Sequence, residues 1–268
     1  MQQTQPTERR LIDVAPAFGH FKDVRQEYRL PSRADLVAIE NISFDLRAGS
    51  LVSLLGPSGC GKTTFLKIVG GLIRASSGVI QINGEDVHGP HADFGMAFQQ
   101  PNLMPWRSVL KNVLFPMELR GDTGTRVTRR ARDLLELVGL EGFEDHYPAQ
   151  LSGGMQQRVA LCRALVHEPK LLLMDEPFGA LDELTRMEMQ DLLLNIRAKT
   201  NATIVFVTHS IAEAAYLSDV IVVFSKRPAV IADYIDVSLP YTRTAENRYS
   251  VEFTELEHHA GRALGITR

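Results

Sequence analysis

The sequence predicts an α/β fold with an inserted helical segment, on three observations. Residues 56–63 read GPSGCGKT, a glycine-rich turn set between a short apolar strand and a helix. Residues 171–174 (LLLM) and 203–208 (TIVFVT) form apolar stretches without polar alternation, the pattern of strands in a parallel sheet covered on both faces. From about 100 to 165 the apolar spacing changes from that of strands to that of helices.

In chain order, residues 1–20 open polar (MQQTQPTERR) and read as a flexible extension without the apolar core of a signal peptide. The main domain is expected over 21–240. Strands are favoured from about 24 to 55, with Ile42-Ser43-Phe44-Asp45-Leu46 alternating as a half-buried strand does. Residues 62–69 form a helix closed by Gly70-Gly71. Residues 79–82 followed by Asn83-Gly84 carry a hairpin signal, and 94–98 form a short strand. Helices are expected at 127–138 and 155–167, the second stopped by Pro169, and at 183–199. Late strands follow at 220–224 and 230–234. In the tail, 241–268, Thr254 to Glu257 suggests a capping box opening a short helix.

Composition limits the functions available. The chain has 268 residues, enough for a substantial core, and a net charge of −3 from 29 Lys+Arg and 32 Asp+Glu. That balance excludes a broad basic surface, so nucleic acid is not an expected partner. The longest unbroken apolar run, 220–224, is far short of the roughly twenty residues that cross a bilayer, so membrane association is expected only through a partner. The two cysteines, Cys60 in the glycine-rich turn and Cys162 in a helix, suggest no disulfide framework and fit a reducing compartment.

The turn at 56–63 suits a triphosphate. Only glycine lets the backbone wrap closely enough to aim many N–H groups at one anion, and the following helix adds its positive end. Gly56, Gly59 and Gly61 supply the wrap, with Pro57, Ser58, Cys60 and Thr64 completing the binding segment. Lys62 places an ammonium at the β- and γ-phosphates, and Thr63 offers a hydroxyl to Mg²⁺. Cys60 reads as a packed small residue. At 171–176 (LLLMDE) a strand delivers two acids to the sheet edge where ligands of α/β folds collect. Asp175 suits the metal shell and Glu176 a general base that polarises the attacking water. Residues 151–158 (LSGGMQQR) form a second cradle: Gly153 and Gly154 leave amides uncovered at a helix start, and Ser152 adds a hydroxyl.

These three segments, in this order, resemble the ATP-binding subunit of an ABC transporter, with 151–158 matching the family's signature motif. The resemblance implies a P-loop NTPase core with an N-terminal antiparallel β subdomain and an inserted helical subdomain. It implies ATP and Mg²⁺ as ligands, and a homodimer in which each signature, here Ser152, Gly153, Gly154 and Gln156, closes on the partner's phosphate loop. It extends to Gln99 as the Q-loop glutamine at the metal or water, with Gln100 adjacent as an alternative. It also covers 179–182 (GALD) as the D-loop with Asp182 at the dimer interface, and His209 as the switch histidine on the γ-phosphate. Tyr28 is the best candidate to stack on adenine, with Phe18 and Phe21 as competitors.

Residues 101–121 (PNLMPWRSVLKNVLFPMELRG) look like importers for nitrate, sulfonates, taurine and similar small anions. The family implies permease subunits in the membrane and, indirectly, a periplasmic or extracellular solute-binding protein, placing the chain in the cytoplasm on the inner face of the cell membrane. Trp106, the only tryptophan, fits either an anchor for the permease's coupling helix or core packing. Two other classes compete. A non-transport ABC ATPase would usually carry coiled-coil insertions, zinc motifs or tandem cassettes, and a phosphoryl-transferring kinase would need no signature motif. The pair His258-His259 reads as a solvated helix face.

Overall fold

A computed structural model describes residues 17–29, 35–90, 94–240 and 242–266. Two long antiparallel strands come first, β1 (Gly19–Tyr28) and β2 (Leu36–Leu46), with Phe21 opposite Phe44. In β2 Ile42, Phe44 and Leu46 are buried while Ser43 and Asp45 face out, as the alternation predicts. β1 starts at Gly19, so the last two residues of the expected extension lie in the sheet; residues 1–16 are outside the described residues. β3 (Leu51–Leu55) enters a second sheet, is buried throughout, and runs through the 56–61 turn into α1 (Lys62–Val69). β4 (Ser77–Ile82) and β5 (Glu85–Asp86) return to the first sheet, whose order is β2-β1-β4-β5. Their link, Asn83-Gly84, has positive φ at both residues, as a two-residue type I′ hairpin turn requires.

After β6 (Phe94–Ala97) comes the helical segment: α2 (Val109–Leu119), α3 (Thr125–Leu137) and α4 (Gly153–Leu165). Their apolar faces (Val109 and Val113, Ala131 and Leu135, Val159 and Cys162) meet in one buried cluster. α3 and α4 each begin two residues before the positions expected from spacing. The start of α4 is set by Ser152, whose Oγ accepts from the Met155 N–H at 3.3 Å.

The remaining chain alternates strand and helix: β7 (Leu171–Asp175), α5 (Glu183–Thr200), β8 (Thr203–Thr208), α6 (Ile211–Leu217), β9 (Val220–Phe224) and β10 (Ile231–Asp236). The second sheet has the order β10-β9-β3-β8-β7-β6, parallel except for β10 at one edge. The expected apolar strands β7 and β8 are central and buried. Register places Leu55 beside Thr208 and Asp175 beside Val207, so β3, β7 and β8 end together at one edge.

The tail differs from expectation in one respect. Its helix, α7 (Val251–Ala263), opens at Ser250, whose Oγ accepts from the Phe253 N–H at 3.1 Å. Thr254 lies inside the first turn and donates its hydroxyl to the Ser250 carbonyl. Ser250 has Phe253 and not an acid three residues on, so the true cap lacks the box pattern that Thr254 and Glu257 carry, and burial of Phe253, Leu256 and Ala260 against the core selects the earlier start. The preceding loop is held by Arg243, which donates to the carbonyls of Tyr216, Ser218 and Leu239, and by Arg248, whose guanidinium lies 3.4 Å from the Tyr216 ring centroid. Cys60 and Cys162 are both free and buried. No helix among the described residues is long and apolar enough to cross a membrane.

Candidate active site

The phosphate turn is shaped by its neighbours. A Cβ on Gly56 would come within 2.9 Å of the Phe224 carbonyl, and one on Gly61 within 3.0 Å of the Ala38 carbonyl; Gly61 also has φ +128. Gly59 has φ +73, which L-residues rarely adopt. Ser58 and Gly59 form the exposed crest, and Pro57 is half-buried beside it. Cys60 is buried under the turn, and burial pushes its thiol above the usual range despite the nearby Lys62 charge. A raised thiol is a packing group here, not a reactive one. Lys62 is 3% exposed, and its Nζ donates to the carbonyls of Gly56 at 2.7 Å and Pro57 at 3.1 Å. The ammonium therefore sits inside the loop that its own helix opens.

At the end of β7, Asp175 accepts from the Thr63 hydroxyl at 2.8 Å. Burial raises the Asp175 carboxyl, with the Glu176 charge adding to it and the Thr63 bond opposing. A hydroxyl and a carboxylate are hard oxygen donors, and Mg²⁺ takes few protein ligands, completing its shell with water and substrate phosphates. The pair fits that ion, while no cluster of three His, Cys, Asp or Glu suited to a metal occurs among the described residues.

Glu176 follows with φ +45, a left-handed conformation uncommon outside glycine. Two bonds hold it there: its N–H donates to the Val207 carbonyl at 3.0 Å, and its carbonyl accepts from the Gly179 N–H at 3.2 Å. Its side chain meets His209, Nδ1 lying 3.0 Å from Oε2. The register of β7 on β8 thus brings together an acid and an imidazole that are distant in sequence. Gln99 approaches the same edge: its Nε2 lies 3.5 Å from where a Cβ on Gly179 would stand. Tyr28, at the end of β1 and partly exposed, donates its hydroxyl to Thr64 Oγ1 at 3.5 Å, beside the phosphate turn. Phe21 is buried among Phe44 and Phe65, and Phe18 packs near Val69 and Ile82, so neither ring is placed to stack there.

The second cradle stands apart on the helical segment. Ser152 and Gly153 are exposed, and a Cβ on Gly153 would meet nothing within 4 Å. Gly154 is tight, since a Cβ would come within 2.6 Å of Thr185 Cγ2 on the first turn of α5. Asp182 caps that turn, accepting from the Thr185 N–H at 3.1 Å; the Thr185 hydroxyl first, and this N–H after it, hold its carboxyl below the usual carboxylate range. Gln156 turns to its own loop, donating to the carbonyls of Pro148 at 3.0 Å and Leu151 at 3.4 Å.

Residues not expected from sequence support these groups. Gln157 donates to the Phe98 carbonyl at 3.1 Å, and Arg163 to those of Asn102 at 2.8 Å and Pro101 at 2.6 Å, tying α4 to the segment that carries Gln99. Arg227 donates to the Gly59 carbonyl at the crest. Trp106 is 74% exposed, which removes core packing as its role.

Comparison with known proteins agrees with this geometry. The model of the ABC transporter family matches residues 39–179. The taurine import ATP-binding protein of a Jannaschia species is 44% identical over 210 residues, 78% of each chain. The aliphatic sulfonates import ATP-binding protein of Bacillus cereus is 46% identical over 206 residues, 77% of this chain and 81% of that one. A dimeric bacterial ABC transporter cassette superposes with a TM-score of 0.73 at 32% identity, over 83% of this chain and 100% of that one. Its post-hydrolysis state bound to ADP and Pi gives 0.71 at 31% identity, with the same coverage. With a phosphate turn, two acids at the adjoining strand end and a separate Ser-Gly-Gly cradle on an inserted helical segment, the chain belongs to the ABC transporter family as an ATP-binding subunit.

Proposed function

We propose that this chain is the ATP-hydrolysing subunit of an importer for a small sulfonate-like or similar anion, and that it works as a head-to-tail homodimer on membrane-embedded permease subunits. The observation that carries the reading is the split between its two cradles. Asp175, Glu176 and His209 gather beside the phosphate turn, whereas Ser152 and Gly153 point outward with no acid of their own at the helix start. One triphosphate needs both, so a second copy facing the other way supplies the missing half of each site.

In this reading the amides of 56–63 and the Lys62 ammonium bind the phosphates, Tyr28 stacks on adenine, and Ser152, Gly153 and Gly154 of the twin close over the γ-phosphate. Thr63 and Asp175, with Gln99, would hold Mg²⁺, which offsets phosphate charge when bound. Glu176 takes the proton of the attacking water, and His209 orients the Glu176 carboxylate through Nδ1 while facing the γ-phosphate. Asp182 and the 179–182 turn lie at the dimer contact. Trp106 stands on the helical segment as an anchor for the permease, on the inner face of the membrane, with a solute-binding protein on the far side delivering cargo. Support for the cargo comes from the taurine and aliphatic sulfonate importers to which the relatives belong and from the 101–121 segment.

Glu176→Gln tests the chemistry. It preserves shape and removes the base, so the variant is expected to bind MgATP, to lose steady-state hydrolysis by about 10²–10⁴-fold, and to accumulate as a dimer in gel filtration. Normal phosphate release by this variant would overturn the assignment.

A further inference from the structure

His209 is held from behind by groups that touch no part of the phosphate turn. Thr208, the last residue of β8, is buried; its hydroxyl donates to Oε2 of Glu213 on α6 and accepts from the Ser210 N–H at 2.9 Å. His209 sits between these two anchored residues. Glu213 is buried as well, its side chain 8% exposed, and its other oxygen lies 3.7 Å from Nε of Arg186 on α5. Among the described residues that Nε has no hydrogen-bond acceptor, so Glu213 is its charge partner. The two terminal nitrogens of Arg186 go elsewhere: one donates to Glu183 Oε2 at 2.9 Å, the other to the Leu181 carbonyl at 2.8 Å. A continuous line thus runs from the 179–182 turn through Arg186, Glu213 and Thr208 to His209, and across to Glu176.

The chemistry of that line is selective. A buried carboxylate facing a partly exposed guanidinium gains little net stability over apolar residues of the same volume, yet each fixes its partner's position closely. Arg186 is suited to it, because its rigid fork donates to Glu183 and to the Leu181 carbonyl while its Nε faces the Glu213 carboxylate, three directions that a lysine cannot hold at once. The first turn of α5 also flanks the signature cradle, since Thr185 stands against Gly154.

We infer that Arg186 and Glu213 are positioning residues for hydrolysis: they set His209 against Glu176 according to where the 179–182 turn sits. The inference rests on the reading of Glu176 and His209 as the hydrolytic pair and of the turn as a dimer contact. Seating of the twin on the turn is then passed through Arg186 to the opposite side of the same site, so that hydrolysis follows dimer closure and not nucleotide binding alone.

The test uses full-length protein with Arg186→Met, Arg186→Lys, Glu213→Gln, the Met/Gln double variant, and Glu176→Gln in parallel. Readouts are kcat and KM for ATP, affinity for a fluorescent ATP analogue, and thermal midpoint. Arg186→Met and Glu213→Gln are each expected to lower kcat by about 10–100-fold, as a small displacement of a reacting group does, with nucleotide affinity unchanged within about two-fold. The double variant should be no worse than the poorer single, since both break one line, and Arg186→Lys should fall between. Wild-type kcat in Arg186→Met overturns the inference, as do multiplicative losses in the double variant. A parallel fall in affinity and thermal midpoint would also overturn it, by showing a structural role only. If Glu213→Gln does not fold, the partly exposed Arg186 decides the matter alone. Glu176→Gln separates the two levels. If it hydrolyses normally, the reading of the pair has failed; if it is silent while Arg186→Met turns over normally, only the coupling has failed.

Discussion

The chain carries two anion cradles built by opposite means. The phosphate turn is walled: Gly56 backs onto the Phe224 carbonyl, Gly61 onto the Ala38 carbonyl, and Lys62 is buried within it. The Ser152-Gly153 cradle is open on its outer side and braced from behind, where Gly154 meets Thr185 and Gln156 holds the Pro148 and Leu151 carbonyls. The first has the Thr63 and Asp175 oxygens, the Glu176 acid and the His209 imidazole within reach; the second offers amides and a hydroxyl only. Walls fix a substrate for chemistry, whereas an open cradle suits a surface that must close on something brought to it. That contrast can be broken or sharpened by four substitutions.

Lys62→Ala has the largest expected effect. It removes the only buried cation of the turn and leaves the carbonyls of Gly56 and Pro57 without their donor. Phosphate release should drop by about 10³-fold or more with the fold retained by circular dichroism, by analogy with the loss of a preorganised transition-state donor. Turnover within a factor of ten of wild type would remove the walled cradle from catalysis.

Ser152→Arg fills the open cradle with a long side chain and should silence a homodimer nearly as completely. The sharper measurement mixes it with Lys62→Ala. In a head-to-tail pair one site then combines an intact phosphate turn with an intact signature, so activity is expected to reappear on mixing two inactive proteins. No recovery, with mixed dimers demonstrated by tag capture, would mean that each signature serves its own phosphate turn.

Trp106→Ala should leave basal hydrolysis within about two-fold. It should weaken assembly with the permease by about 30-fold, the loss typical of an aromatic anchor worth about 2 kcal/mol. Unchanged assembly would assign the exposed ring some other partner.

Asp175→Asn concerns stability and is the smallest. Burial raises the Asp175 carboxyl, so its ionised form is disfavoured in the folded chain. That penalty is present above the folded pKa. It disappears as pH falls through the folded value towards the unfolded one, where both states carry the proton. The amide keeps the acceptor for Thr63 without the charge. Nucleotide-free Asp175→Asn should therefore melt higher than wild type near neutral pH, with the gain shrinking under acid. A constant difference at all pH values would point to packing instead.

How much of this was readable beforehand depends on whether a residue acts locally. Gly59 and Gly61 announce themselves because their backbone angles exclude other residues, and β7 and β8 because a doubly covered strand must be apolar throughout. Arg186, Glu213 and Gln157 do not. Each is an ordinary polar helix residue, and its task appears only when α5 packs beside α6, or α4 beside the end of β6. Trp106 is ambiguous in sequence, since a tryptophan suits core and interface alike; its exposure removes the core. The tail helix opens one turn before the Thr254–Glu257 pattern because its cap, Ser250, has Phe253 in place of the acid of a capping box, and local pattern cannot weigh the burial of Phe253.

The bonds from α4 to residues 98–102 have a mechanical consequence. Gln157 and Arg163 rivet that short link to the helical segment, while β6, ending at Ala97, belongs to the sheet. If the helical segment pivots, the bend falls at the junction of Ala97 and Phe98, and Gln99 swings with the moving part. Its amide, now near Gly179, is then carried away from that turn or towards it as the segment turns.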